Sequence, residues 1–351
     1  MKILFLTSRF YPDIRGVEKH VLEIGKRLVL EGHKVVVATA SQGKEKKIEG
    51  IEIVRFAKTS NKREIWKWFF ENRDLIKYSD IVHAHDVYFW YFPFRLLFPF
   101  KKSFVTFHGY ESYPIRKKAI MVRKLSEYLA NGNIIVGDFI KRWYGTKPDY
   151  VTYGGVEASS IKYPSFAKAS SDAKALADRS ADKQVLSKSR QESALFIGRL
   201  DEQTGILEYT KAVELIRKNN PKFEFGIIGD GVFRKRLEKY KPLGFRKDAT
   251  DYLKRYNFAF VSRYLSILEA LANKRLVFAH YDNPVKEDYL KLSPFSEFII
   301  IENSGEKIAE KVKYYLKNPE EADRLIKEGY IWVKKQTWDG VLEAYLKLWG
   351  N

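Results

Sequence analysis

The stretch Ala259-Phe-Val-Ser-Arg-Tyr-Leu-Ser-Ile-Leu-Glu-Ala-Leu-Ala272 runs from an apolar segment of strand character into a segment of helical spacing, and hydroxyls, a cation and a carboxylate lie at and after the junction. In doubly wound α/β proteins the C-terminal end of a parallel strand leading into a helix is where ligands bind. The unsatisfied N–H groups of such a helix start, with the positive end of its dipole, hold phosphate, and Glu269 in the first turn accepts from sugar or ribose hydroxyls. Ser266 and Glu269 are equally well spaced as a capping box, in which the glutamate ties its own helix start. The stretch therefore predicts an α/β fold and leaves Glu269 two roles, ligand or cap.

The same alternation extends in both directions. Residues 2–8 read as a buried strand, Phe10 to Gly16 as a turn with Pro12 and Asp13, and Val17, Val21, Ile24 and Leu28 as one face of a helix closed by Gly32, with a strand following at 34–40. This is a βαβ unit. Short apolar strands recur at 80–86, 103–109 and 133–137, and a second series opens at 194–200 and continues at 223–231, 258–262 and 276–279. Two doubly wound domains are predicted, 1–157 and 193–335. A closing helix at 336–351, with Val341, Tyr345 and Leu348 on one face, is expected to pack back on the first domain. Between the domains, 158–192 is rich in Ala, Ser, Lys and Asp and reads as a mobile low-complexity insertion.

Composition narrows the partners. The 351 residues are 45% hydrophobic and 15% aromatic, enough for two cores, and contain no cysteine, which excludes disulfides and thiolate metal sites and suits a reducing, cytoplasmic compartment. No stretch approaches the apolar length of a membrane span. The net charge is +19, with 28 basic and 17 acidic residues up to Glu157, and an excess of this size favours anionic partners. Ile65-Trp-Lys-Trp-Phe-Phe70, the segment Trp90 to Lys102 and Arg116-Lys-Lys118 interleave aromatics with cations, as an interfacial surface facing anionic headgroups does. The competing reading places these aromatics in the core. Nucleic acid is not expected, because no helix-turn-helix, RNA-recognition or zinc pattern accompanies the charge.

Taken in order, several segments resemble the retaining, nucleotide-sugar-dependent glycosyltransferases of family 4, whose GT-B fold has two facing Rossmann-like domains. They are Phe10-Tyr-Pro-Asp-Ile-Arg-Gly-Val-Glu-Lys-His20, Glu31-Gly-His-Lys-Val35, Asp80-Ile-Val-His-Ala-His85, Val105-Thr-Phe-His-Gly109, Tyr153-Gly-Gly-Val-Glu157, Phe196-Ile-Gly-Arg-Leu200, Ile228-Gly-Asp-Gly231, Leu243-Gly-Phe245 and Ser262 to Ala272. Each is weak alone, and the ordered series covers nearly the whole chain outside 158–192. The resemblance implies transfer of a sugar from a nucleotide-diphosphate donor to an acceptor hydroxyl with retention, without metal or other cofactor. A glycan or lipid-linked acceptor in cell-surface polysaccharide or glycolipid synthesis would fit. It implies that Arg199 contacts the diphosphate, Gly16 admits the donor phosphates, and Glu269 takes the ribose hydroxyls. Gly231, Gly244, Phe245 and Ser266 would border the nucleotide, and His108 would stand near sugar and acceptor. His83 and His85 are expected to be packing residues.

Two departures fall in the donor pocket. Thr204 stands five residues after Arg199 where the family has lysine, and the segment between Ser262 and Glu269 is shortened, without the first glutamate of the family's paired motif. Arg263 in the shortened loop, or Lys286 after the next strand, is the expected source of the missing charge. The alternative is a degenerate member that binds nucleotide sugar or glycan without catalysis.

Overall fold

The computed structural model describes residues 1–12, 16–59, 61–157, 192–246 and 248–350. The expected insertion at 158–192, apart from Glu192, and Arg15, which stands where the resemblance expects a glycine, lie outside the described residues. The chain divides into two compact units, Met1–Gly154 with Trp338–Asn351, and Gly155–Thr337. Val156 belongs with the second unit because its N–H donates to the Gln336 carbonyl at 2.8 Å.

Among the described residues the first unit has an eight-stranded sheet. Its strands are β1 (Lys2–Thr7), β2 (Lys34–Thr39), β3 (Lys47–Ile48), β4 (Ile51–Arg55), β5 (Ile81–His85), β6 (Lys102–Phe107), β7 (Asn133–Val136) and β8 (Tyr150–Thr152), in the order β3-β4-β2-β1-β5-β6-β7-β8. All neighbours are parallel except β3 with β4. Residues Ile3 to Thr7 and all of β5 are buried without alternation, as strands covered on both faces require. Helix Gly16–Leu30 buries Val21, Ile24 and Leu28, and the chain turns out of it at Gly32 with φ +82°. Helix Trp338–Gly350 packs against it through the expected face, with Val341, Tyr345 and Leu348 buried and Asp339 accepting from Arg27 Nε at 2.7 Å.

The segments read either as an aromatic interfacial surface or as core divide between the two. Ile65, Phe69, Trp90, Tyr91 and Phe94 are all buried, and Phe56 gathers Trp68, Phe69 and Trp90 at ring separations of 4.9–5.8 Å. Helical spacing turns one face of Lys62–Glu71 onto Phe56, Trp90 and Phe94 and leaves Lys67 and Phe70 outside. Leu96, Leu97 and Phe100 remain exposed.

The second unit has a five-stranded parallel sheet of β9 (Ser193–Ile197), β10 (Glu224–Ile228), β11 (Phe258–Phe260), β12 (Leu276–His280) and β13 (Ile300–Glu302), in the order β10-β9-β11-β12-β13. Phe196, Tyr209, Phe225, Phe258, Phe260 and Phe278 dominate its core.

Candidate functional site

In both sheets the strand order reverses beside the first strand of the unit. β1 lies between β2 and β5, and β9 lies between β10 and β11. The connections leaving the adjacent strands β1 and β5, and those leaving β9 and β11, advance in opposite directions across their sheets and open a crevice at the carboxyl edge, where doubly wound sheets take ligands. The residues after β9 and β11, distant in sequence, therefore meet.

At the second unit's crevice, Arg199 Nη2 donates to Gln203 Oε1 at 3.0 Å and Arg263 Nη2 donates to the same oxygen at 2.7 Å. Arg199 Nη1 also pairs with Asp201 at 2.8 Å. Lys286, 1% exposed, donates from Nζ to the Ser262 carbonyl and lies 4.1 Å from the centroid of the Tyr289 ring. Burial, and then the neighbouring Arg263, hold its ammonium pKa well below the usual lysine range. A net of buried hydroxyls supports the loops: Tyr209 donates to the Phe278 carbonyl at 2.9 Å, and Ser262 Oγ lies 2.7 Å from its hydroxyl.

Thr204 has a structural task. It is 3% exposed, and its hydroxyl lies 2.7 and 2.8 Å from the carbonyl oxygens of Arg199 and Asp201, closing the turn that carries the arginine. Gly231 also serves that turn: at φ +157° its backbone passes so close to Leu200 that a Cβ would stand 2.6 Å from the Leu200 carbonyl oxygen. Gly244 has φ +73° and its carbonyl accepts from Gly229 N–H at 2.9 Å, which presents Phe245, 60% exposed, at the carboxyl end of β10.

The capping-box reading of Ser266 and Glu269 is overturned. The helix is Tyr264–Ala272 with Arg263 at its N-cap and no side-chain cap bond, so Ser266 is its third residue and Glu269 lies in the second turn. The start is held instead by Tyr289, whose hydroxyl accepts from Tyr264 N–H at 2.9 Å while the two rings stack at 3.9 Å. The two aromatic residues displace the helix start upstream of where the Ser-x-x-Glu spacing places it. Both Ser266 and Glu269 are half-buried.

In the first unit Gly16 opens its helix with space around it, since a Cβ would meet nothing within 4 Å. His108 follows β6. Its Nε2 is 2.9 Å from Nδ1 of His85, its backbone N–H donates to Asp86 at 2.9 Å, and its ring meets His20 edge-on at 4.7 Å. His83 and His85 are fully buried, as expected of packing residues. The rings of His20, His83, His85 and His108 have pKa values below the usual histidine range, burial being the main cause, and that of His20 is lowered to about 3. Neutral rings serve here as fixed donors and acceptors.

Gln203 and Tyr289 escaped the sequence expectations, which held His20 only as part of a motif and Tyr345 only on the packing face of the closing helix. Gln203 follows Arg199 by one helical turn, but an uncharged amide gives no signal until Arg263 arrives beside it. The residues proposed from sequence fall into two groups: His108 and Gly16 in the first unit, and Arg199, Gly231, Gly244, Phe245, Arg263, Ser266 and Glu269 in the second. Among the described residues no cluster of histidine and carboxylate groups suits a metal ion.

The fold is that of GT-B glycosyltransferases. A glycosyltransferase from Rickettsia africae ESF-5 superimposes with a TM-score of 0.69 at 17% identity, covering 99% of this chain and 97% of its own. WaaG, a glycosyltransferase involved in lipopolysaccharide biosynthesis, gives 0.61 at 13% identity with 97% of each chain covered. An alpha-glucosyltransferase in complex with UDP-glucose and DNA containing an abasic site gives 0.59 at 14% identity over the whole of both chains. The sequence pattern of Glycosyltransferase Family 4 matches residues 14–157, most of the first unit. No curated protein matches the chain by sequence.

Proposed function

We propose that the protein is a retaining glycosyltransferase that moves a sugar from a nucleotide-diphosphate donor to an acceptor hydroxyl without a metal ion. The observation that carries this reading is the pair of guanidiniums, Arg199 and Arg263, meeting at the β9/β11 switch point of a glycosyltransferase fold. Ionisation of the glycosidic bond leaves negative charge on a diphosphate, and fixed cations stabilise that charge as it develops. Arg199 and Arg263 hold the diphosphate, Phe245 stacks on the base, Glu269 accepts from the ribose hydroxyls, and Ser266 and the backbone at Gly244 border the nucleotide. Gly231 keeps the Arg199 turn in place. In the first unit Gly16 leaves room for phosphate oxygens, and His108 presents a neutral ring to the sugar and acceptor.

The test is thermal unfolding against uridine, guanosine, adenosine and cytidine diphosphate sugars, followed by product analysis with the donor that shifts the midpoint. A ligand at about 100 times its dissociation constant adds about 2.7 kcal/mol. A shift with turnover and an axial or equatorial product matching the donor supports the reading; a shift without turnover for any acceptor supports the degenerate binder.

For the acceptor we propose a glycan or lipid-linked molecule met at the cytoplasmic face of an anionic membrane, with no role for nucleic acid. No described helix is long and apolar enough to cross a membrane. Met121, Leu125 and Tyr128 are exposed along one face of helix Lys117–Leu129, beside exposed Lys117, Lys118 and Lys124. Apolar residues ringed by lysine suit the interface of a leaflet rich in anionic lipid. Flotation with anionic vesicles, and none with neutral ones, is the expected result; absence from both removes the membrane from the reading.

A further inference from the structure

The arginine–lysine pair implied by the family resemblance is broken here by Thr204, which is buried and spent on closing its own loop. The cationic side chains that do converge come from three separate segments: the turn after β9, the turn after β11, and helix Pro284–Lys291 after β12. Two features of their arrangement are unfavourable without an anionic partner. Arg199 and Arg263 donate to one neutral amide oxygen, so their nitrogens lie within about 6 Å of each other, where like charges repel, and Asp201 at 2.8 Å offsets the charge of Arg199 alone. Among the described residues no carboxylate forms an ion pair with Arg263. Lys286 is wholly buried with one backbone carbonyl and the Tyr289 ring as its partners, close to these cations. A fold that keeps such an arrangement gains most when an anion enters it.

Resting on the proposed donor reading, we propose that Gln203 is the positioning residue that sets Arg199 and Arg263 as one clamp on a diphosphate, and that Lys286 is its third arm. The clamp restores by assembly across β9, β11 and β12 the charge that the Thr204 position lacks. Gln203 is suited to this because its oxygen accepts from both guanidiniums without neutralising either, whereas a glutamate would compete with the incoming anion. Tyr289 fixes the frame: it caps the helix that follows Arg263 and lies beneath Lys286, with Arg263 5.9 Å from its centroid.

The amine has a signature that a merely structural lysine lacks. The groups that act on Lys286 are Arg263 and Arg199, which disfavour its proton, and Asp282 and Asp201, which favour it, with burial the largest influence against it. An anion at the clamp adds to the influences that favour the proton, so the ammonium holds it more tightly in the complex.

Inorganic pyrophosphate and uridine, guanosine and adenosine diphosphates are titrated calorimetrically into the full chain at pH 8 in two buffers of different ionisation enthalpy, with Arg199→Ala, Arg263→Ala, Gln203→Met, Gln203→Glu and Lys286→Met compared. The expected result is tight binding of at least one probe by the wild type. Arg263→Ala then weakens it ten-fold or more, and Gln203→Glu weakens it more than Gln203→Met does. The effects of Gln203→Met and Arg263→Ala fall short of additivity, and with the nucleoside diphosphates the buffer dependence of the wild type is smaller in Lys286→Met. Unfolding midpoints without ligand identify any variant that has lost its fold, and Gln203, at the surface, gives the comparison least exposed to that failure. If Arg199→Ala abolishes binding while the Arg263, Gln203 and Lys286 variants bind as the wild type does, the clamp is wrong, Arg263 drops out of the donor reading, and diphosphate binding at Arg199 remains. If the folded wild type binds no probe, both fall.

Discussion

The indole N–H of Trp349 donates to Nδ1 of His83 at 3.0 Å, and because an indole only donates, His83 is a neutral ring with its proton on Nε2. That proton goes to Thr106 Oγ1 at 2.8 Å. Thr106 lies 2.8 Å from the Tyr345 hydroxyl, which lies 2.9 Å from His20 Nε2. Every hydroxyl proton finds an acceptor along this path when the bonds run in one direction, from Trp349 to His20. The closing helix thus fixes the hydrogen-bonding state of a histidine at the start of the first one.

Trp349→Phe keeps the ring and removes the donor, leaving His83 Nδ1 buried without its partner. An unsatisfied buried polar atom costs about 1–3 kcal/mol. The expected outcome is a lower denaturant midpoint with an unchanged m-value; an unchanged midpoint would show that the relay contributes nothing to stability.

Acid should unfold the first unit unusually early. His20, His83 and His85 are buried neutral, with pKa values below their unfolded value of about 6.5. The unfolded chain binds more protons between the folded and unfolded pKa values, so stability is complete above about pH 6.5 and falls by up to about 1.4 kcal/mol per pH unit for each ring below it. Asp86, raised to about 6 mainly by burial against the pull of Arg123, acts in the opposite sense below that pH. Its residue has an exposed edge, so solvent screens it and the three rings outweigh it. The unfolding midpoint of the first unit should be steady from pH 7 to 8 and drop steeply below about pH 6; a flat profile to pH 4.5 contradicts this account.

Gly229→Ala should be severe. With φ +147°, a Cβ at this position would stand 1.7 Å from the Gly198 carbonyl oxygen, so backbone must move. A cost of about 2–5 kcal/mol is expected from strain and overpacking, with loss of pyrophosphate binding as the Arg199 turn shifts. Gly16→Ala provides the contrast: without contacts for its Cβ, it should unfold as the wild type does and lose donor turnover alone. Unfolding and turnover measured on both variants separate the two effects.

Glu269→Gln tests the ribose contact. Tyr289, and not this carboxylate, holds the start of the helix, so the unfolding midpoint reports separately any loss of fold. Losing a charged acceptor costs about 1.5–3 kcal/mol of binding, a ten- to hundred-fold weakening for nucleoside diphosphates. Pyrophosphate, which has no ribose, should bind as before. Equal weakening of both would place Glu269 at the phosphates.

Runs such as Lys-Ile-Leu-Phe-Leu-Thr at the first strand and the spacing of Val21, Ile24 and Leu28 are local, and local periodicity is enough to identify buried parallel strands and the helices between them. The same holds for Arg199 and Arg263, each at the end of an apolar run. The sequence by itself therefore determined the alternating α/β order and the strand ends where charge collects. Tertiary structure alone decided which of those ends meet. It stacked Tyr289 on Tyr264, which moved the helix start upstream of Ser266, and it folded the aromatics near Trp90 into the core although their pattern suited a surface. It also brought Gln203 between two arginines separated in sequence by two α-helices and two strands. Hydrophobic periodicity acts over a few residues, whereas cap choice, burial of a particular ring and the pairing of charges depend on distances that only the closed sheet sets.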